Sequence, residues 1–136
     1  DDESITQRIR MLEPFIRSAY AAAAHWCNGR TLRIVWNQQR GFIVALLIFL
    51  CMESNLSAGT IRAAFRNLHK WLGRYPHKAA DAVVLSGPNV RQRFGLIAFD
   101  LRLAAPVCVA MRCLFRVLRT DYIQLFKRYR KSSPGG

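Results

Sequence analysis

Between residues 57 and 73, hydrophobic and polar positions separate onto two faces of a helix. At about 100° of rotation per residue, basic side chains fall on one side and apolar side chains on the other. The basic side holds Arg62, Arg66, Lys70 and Arg74, and Lys78 continues the same spacing of four. The apolar side holds Ile61, Ala64, Phe65, Leu68, Trp71 and Leu72. The pattern predicts an amphipathic helix over 57–73, capped by Ser54 or Ser57 and stopped at Gly73.

The N-terminal segment also shows helical spacing. Ile9, Leu12, Ile16 and Tyr20 recur at intervals of three and four, which predicts a helix over 3–26. Pro14 lies inside this pattern and is expected to kink or restart the helix. The segment "CNGR" is expected to end it near residue 29.

Two further segments are open to more than one interpretation. Residues 31–52 fit a β-hairpin by their β-branched content, but the twelve-residue apolar run 41–52 favours a buried helix at the centre of a bundle. This run is shorter than the roughly 20 residues of a membrane-spanning helix, so no span is expected. After the turn signal at 86–90, Val90, Phe94, Ile97 and Leu101 follow at helical spacing and share one face. The competing interpretation of residues 82–103 is a strand pair, or wing.

A long helix is predicted from Pro106 to about Lys131. Seven apolar or aromatic positions share one face: Leu114, Phe115, Leu118, Tyr122, Leu125, Phe126 and Tyr129. The other face is basic, with Arg112, Arg116, Arg119, Lys127 and Arg130, and with Arg128 and Lys131 nearby. This helix therefore has the same division into an apolar face and a basic face as helix 57–73.

Together these segments predict a mainly α fold. We expect a compact bundle of five or six helices around the apolar helix 41–52, with a small β-hairpin or wing as the alternative in the ambiguous segments. The 136 residues fit one domain, predicted over 1–131, followed by a flexible tail over 132–136.

The charge narrows the classes of partner. The formal net charge is +13, from 21 basic and 8 acidic residues, and 17 of the basic residues are arginine. Residues 54–136 contribute 15 basic and 3 acidic side chains, a net +12. Repulsion of this size favours binding to a polyanion, of which nucleic acid is the commonest and an anionic membrane surface the second.

The distribution of acids argues against a merely solvated basic face. Solvated helix faces usually mix both signs, yet no acidic residue lies between Glu53 and Asp81. Like charges four residues apart also repel. The basic face of helix 57–73 is therefore interpreted as a surface for an anionic partner.

The segment "LSAGTIRAAFRNL", residues 56–68, resembles the recognition helix of helix-turn-helix nucleic-acid-binding proteins. The resemblance implies that Thr60, Arg62 and Arg66 lie where such helices meet base edges. In architecture, a short apolar helix followed by arginine-rich helices is similar to small basic helical viral capsid proteins of the flavivirus type. "FIVALLIF" is faintly similar to the central helix of apoptosis regulators of the B-cell lymphoma family, which implies a groove for a partner helix.

No constellation of catalytic residues is found. The acids form no motif, the serines lack a nucleophile-elbow context, and His25, His69 and His77 are scattered. His69 lies at the rim of the basic face, where it is a candidate for phosphate contact. Asp100 is expected to form a structural ion pair beside Arg102. Tyr75 is either a base-stacking residue or, as the spacing favours, packed in the core.

Cys27, Cys51, Cys108 and Cys113 lack metal-ligand spacing, so free thiols, mostly buried, are expected. This favours a reducing, intracellular compartment, nuclear or cytoplasmic. We expect neither a metal nor a cofactor.

The sequence thus predicts a non-enzymatic nucleic-acid-binding protein, for DNA or RNA, that contacts phosphate through arginine-rich helices and that can form a homodimer. The expected contact residues are Arg62, Arg66, Lys70, Arg74, Lys78, Arg112, Arg116, Arg119, Lys127, Arg128, Arg130 and Lys131. The alternatives are a bundle that binds a partner helix in a groove and a peripheral protein that binds acidic lipids.

Overall fold

The computed structural model describes residues 2–77 and 90–132, with side chains described for 3–77, 90–118, 127 and 128. These residues form six helices and no strand, which confirms the mainly α prediction. In chain order, α1 to α6 are Asp2–Arg10, Leu12–Trp26, Gly29–Glu53, Ala58–Leu72, Val90–Asp100 and Ala104–Ser132. Lys78 and the tail residues 133–136 lie outside the described residues.

The predicted N-terminal helix is interrupted at Met11, which separates α1 from α2. The cause is Pro14, whose ring conflicts with the carbonyl of the residue four positions earlier, Arg10. The interruption is therefore the predicted restart. The end of α2 at Trp26 also agrees with the sequence, but Cys27 ends the helix in an extended conformation, and Gly29, with a left-handed φ of 54°, begins α3.

Helix α3 is the centre of the fold and packs against all five other helices. Ile43, Val44 and Leu47 are fully buried on it. The helical interpretation of residues 31–52 is confirmed and the hairpin is wrong. The helix also begins well before the apolar run, because Trp36 and Arg40 continue its buried face.

The length of α3 changes the comparison with membrane-spanning helices. Its 25 residues, unlike the apolar run alone, are long and apolar enough to cross a bilayer, and half of its most apolar window is buried inside the fold. Helix α5 and the first part of α6 pass the same test together, although they are bent by 116°. The length of the apolar run alone therefore does not exclude a span, and the expectation that no segment spans a membrane stays a prediction.

Three aromatic rings join α2, α3 and the segment after α4. The ring of Trp36 meets that of Tyr20 edge-on at 5.0 Å and that of Tyr75 at 5.4 Å. The rings of Tyr20 and Tyr75 are 4.5 Å apart. Such pairs contribute beyond the area they bury. The core-packing interpretation of Tyr75 is thereby confirmed.

The helical interpretation after residue 90 is confirmed by α5, and the strand pair is wrong over 90–100. Residues 82–89 lie outside the described residues. The buried side chains of α5 are Leu96 and Phe99. Val90, Phe94 and Leu101, which the sequence placed on the apolar face, are exposed. The predicted face was wrong because an ion pair at the end of the helix fixes its rotation against α3.

That ion pair joins Arg40 of α3 to Asp100 of α5. The Arg40 side chain is 1% exposed, and its Nη2 donates to Asp100 Oδ1 at 2.6 Å. Its Nη1 donates to Asn37 Oδ1 at 3.0 Å. Asp100 does form a structural ion pair, but with a residue 60 positions away rather than with Arg102.

Helix α6 is longer than its packing surface. It begins at Ala104, so Pro106 lies in its first turn, where a missing N–H is tolerated. From residue 113 to 118 every side chain is exposed, including Leu114, Phe115 and Leu118. These three were predicted to face the core, and the prediction is wrong because α6 runs past the elements it contacts.

Candidate nucleic-acid interface

Helix α4 presents the two faces that the sequence predicts. Ser57 caps it, since its Oγ accepts the backbone N–H of Thr60 at 3.2 Å. Ile61, Ala64, Phe65, Leu68 and Leu72 are buried, and Trp71 is half-buried. The basic residues Arg62, Arg66, Lys70 and Arg74 are exposed. Because the apolar face holds the helix on α2, α3 and α6, the basic face is displayed to solvent on a rigid element.

One member of the basic face has an internal partner. Arg74 Nη1 lies 3.0 Å from Glu13 Oε1, and Glu13 also binds Arg17 at 2.7 Å. The hydrogen bond from Arg17 is the main reason that the pKa of Glu13 is lowered, and Arg74 adds to it. Arg74 therefore links α4 to α2, which leaves Arg62, Arg66 and Lys70 as the part of the face best placed for an external anion.

The basic residues of α6 fall into three groups. Arg112 is half-buried and donates to the backbone carbonyl of Leu56, so it ties α6 to the turn before α4. Arg116, Lys127 and Arg128 are exposed. The side chains of Arg119, Arg130 and Lys131 lie outside the described part of the chain.

Two depressions flank α4, and basic residues line both. The larger, of about 380 Å³, lies between the start of α4 and α6 and is lined in part by Ser57, Arg112 and Arg116. The smaller, of about 190 Å³, lies by the middle of α4 and is lined by Arg62, Phe65, Arg66, His69, Arg102 and Ala105. Arginines of α4, of the α5–α6 connection and of α6 therefore line the two depressions beside α4.

Arg102 was not predicted as a site residue. It follows the last turn of α5 with a left-handed φ of 64°, the one non-glycine residue with positive φ among those described. This conformation costs a non-glycine residue about 1 to 2 kcal/mol. The sequence gives no direct signal of it, since "FDLRL" contains no glycine to mark the helix end.

His69 closes the inner side of the smaller depression. Its ring stacks on that of Phe99 with the centroids 3.7 Å apart and the planes within 7°. Burial lowers the pKa of His69 from 6.5 to about 4, with further lowering by the charges of Arg102 and Arg40. His69 is therefore neutral near pH 7.

The low pKa of His69 predicts a loss of stability in mild acid. Between about pH 6.5 and 4 the unfolded chain binds the His69 proton and the folded chain does not, so this contribution is complete above pH 6.5 and lost towards pH 4. We expect a loss of about 1 to 2 kcal/mol, because solvent at the depression screens the charges. The measurement is urea denaturation of the wild type and His69→Gln across this range.

His69→Gln should show a flatter pH profile, and the exposed His25→Gln should retain that of the wild type. The lowered pKa of Glu13 acts in a separate window, below about pH 4.5, where its contribution is lost as the carboxylate is protonated. Parallel profiles for His69→Gln and the wild type would contradict this assignment.

The thiols show no sign of reactivity in the core. Cys51 and Cys108 are buried, and burial raises the pKa of Cys51 to about 12 and also raises that of Cys108. Cys113 is exposed although its apolar neighbours predicted burial, because it lies where α6 leaves the fold. All four are free, and the described residues contain no group of three side chains that could hold a metal ion.

Comparison of the chain with protein-family models, curated proteins and solved structures finds no match.

Proposed function

We propose that this chain is a non-enzymatic nucleic-acid-binding protein that contacts phosphate groups through α4 and α6. The observation that carries the proposal is the location of the arginines. Arg62 and Arg66 of α4 share a depression with Arg102, and the start of α4 shares a second depression with Arg112 and Arg116 of α6. Arginine suits phosphate because its planar fork donates two parallel hydrogen bonds.

The surroundings of α4 support the proposal. The turn from α3 to α4 has four residues, 54–57, a length typical of helix-turn-helix units. Among the described residues, none that lines the smaller depression is acidic. A nucleic-acid backbone would offset the repulsion among these arginines, and the affinity should fall steeply with salt as counterions are released.

Removal of the exposed basic face should weaken binding far more than an equal loss of charge elsewhere. We expect Arg62→Ala/Arg66→Ala/Lys70→Ala to reduce affinity for labelled duplex DNA, duplex RNA or single strands roughly 10- to 100-fold at about 0.1 M salt. The slope of log affinity against log salt should fall by about 2 to 3. Fluorescence anisotropy across a salt series measures both quantities.

The matched control is Arg8→Ala/Arg10→Ala/Arg30→Ala, which also removes three exposed positive charges. It should change affinity only slightly. Equal losses in the two variants would show that net charge alone drives binding. No binding of the wild type to any of the nucleic acids at low salt would overturn the proposal.

A second candidate function is binding to an anionic membrane surface. The specific observation is the exposed apolar part of α6, where Met111, Leu114, Phe115, Val117 and Leu118 are each 41–56% exposed. Arginines lie between them, as in helices that lie in the membrane interface. Co-sedimentation with vesicles of anionic and of neutral lipid distinguishes the two functions, since the nucleic-acid proposal requires little binding to either.

The groove for a partner helix has less support. Each of the two depressions beside α4 includes at least two arginines among its described lining residues, whereas the groove for an amphipathic helix is mainly apolar.

A further inference from the structure

Helix α5 ends in a C-terminal capping motif that usually contains glycine. The backbone N–H of Leu103 donates to the carbonyl of Ala98 at 2.8 Å, and that of Arg102 donates to the carbonyl of Phe99 at 3.0 Å. This pair of bonds is a Schellman motif, in which the residue at the position of Arg102 is left-handed and is usually glycine. Strained residues of this kind cluster at functional sites, so an arginine here calls for a reason beyond the fold.

The side chain of Arg102 lines the smaller depression together with Arg62 and Arg66. Three arginines from two separate parts of the chain thus line one depression. Its volume of about 190 Å³ is below the roughly 300 Å³ at which pockets for drug-sized ligands begin. The size and charge fit a single small anion rather than a base or a nucleoside.

The other groups around the depression leave this positive charge uncompensated. Phe65 and Ala105 are apolar, and His69 is neutral near pH 7. Behind the His69–Phe99 stack, the carboxylate of Asp100 is already bound to Arg40. Among the described residues, the carboxylate of Asp100 is therefore not available to these arginines. An anion bound in the depression would supply negative charge beside Arg62, Arg66 and Arg102.

We propose that this depression binds one phosphate group of the nucleic-acid backbone and that Arg102 is a phosphate-binding residue. This role accounts for an arginine at a left-handed position that glycine usually occupies. The proposal rests on the proposed function and deepens it, because it adds one fixed phosphate position to an otherwise continuous basic surface. Such a position would set the register of the nucleic acid on α4.

The test uses the full chain with isotope-labelled histidine, titrated with inorganic phosphate while sodium chloride holds the ionic strength constant. We expect a saturable shift of the His69 ring resonances, with a dissociation constant on the order of millimolar. Bound phosphate should also raise the pKa of His69, because it offsets the positive charges that now disfavour protonation. His25 and His77, which are exposed, serve as internal controls.

Two matched variants separate the site from general charge. Arg102→Gln and Arg10→Gln each remove one exposed positive charge. Arg102→Gln should abolish the phosphate-dependent shift at His69 and weaken oligonucleotide binding at least about threefold. Arg10→Gln should do neither. Equal effects of the two variants, or no saturable shift in the wild type, would overturn the site.

The same samples distinguish failure of the site from failure of the function. Oligonucleotide binding without a phosphate-dependent shift at His69 would remove the site and leave the proposed function intact. A phosphate-dependent shift without oligonucleotide binding would overturn nucleic acid as the source of the phosphate, and vesicles with phosphate headgroups would then be the next probe.

The variant Arg102→Gly distinguishes a phosphate-binding role of Arg102 from a purely structural one. Glycine adopts the left-handed conformation freely, so this variant should raise the unfolding midpoint by about 2 to 5 °C. It should also lose phosphate binding. A variant that is both more stable and deficient in binding is the result expected, and one that is destabilised would show that Arg102 serves the fold.

Discussion

Replacement of Asp100 with Leu should lower the free energy of unfolding by about 3 to 5 kcal/mol. The Arg40 side chain is 1% exposed, and the variant would remove its carboxylate partner while the guanidinium stays buried at the interface of α3 and α5. The folded state would then bear the cost of burying that charge without an ion pair to offset it. Urea denaturation followed by far-ultraviolet circular dichroism measures the loss.

The double variant Arg40→Leu/Asp100→Leu should recover most of this loss. A buried ion pair replaced by apolar side chains of similar volume is often neutral or stabilising, whereas one remaining charge is not. The coupling between the two sites is obtained from the complete double-mutant cycle. A double variant as unstable as Asp100→Leu would show that Arg40 is not held by this carboxylate. The exposed pair of Arg17 and Glu13 offers the control, since Arg17→Gln should change the midpoint little.

Truncation of Trp36 should be similarly damaging, with an expected loss of about 3 to 5 kcal/mol for Trp36→Ala. The indole is 2% exposed and contacts Tyr20 of α2 and Tyr75 beyond α4. Its removal would leave a cavity at the point where three elements meet. Thermal and urea denaturation measure the loss.

Two further tryptophan variants make this prediction specific. Trp36→Phe should cost much less than Trp36→Ala, since it keeps a ring and removes an indole N–H that has no hydrogen-bond partner among the described residues. Trp26 is 83% exposed, so Trp26→Ala should fall within about 0.5 kcal/mol of the wild type. Comparable losses for Trp36→Ala and Trp26→Ala would contradict the central role of the indole.

Local pattern was sufficient to predict the two faces of α4. Its buried face from Ile61 to Leu72 and its exposed arginines follow from residues within one helix, because side chains three and four positions apart share a face. The cap was predicted only as Ser54 or Ser57. The break before Pro14 is equally local. The central position of α3 followed from its apolar content, since a helix that is apolar on most sides has to be surrounded.

Features that depend on distant residues were not predictable. The rotation of α5 is set by Asp100 reaching Arg40 on α3, and no periodicity within Val90–Asp100 contains that information. The exposure of Leu114 and Phe115 depends on where the neighbouring helices end. For the candidate site, Arg62 and Arg66 were found from spacing, but Arg102 joins them only because α5 ends in a left-handed residue and turns towards α4.

The buried pair of Arg40 and Asp100 also bears on how the chain is made. Arg40 leaves the ribosome 60 residues ahead of its partner, a delay of roughly 3 to 12 s at ordinary rates of synthesis. During that interval the first four helices can be present, but α3 lacks the helix on which it packs most extensively, and Arg40 lacks its carboxylate. Folding of the nascent chain should therefore wait for α5, and a fragment that ends before α5 should not form a stable unit. The basic surface of α4 would then be assembled only after α5, which follows it in the chain, has been synthesised.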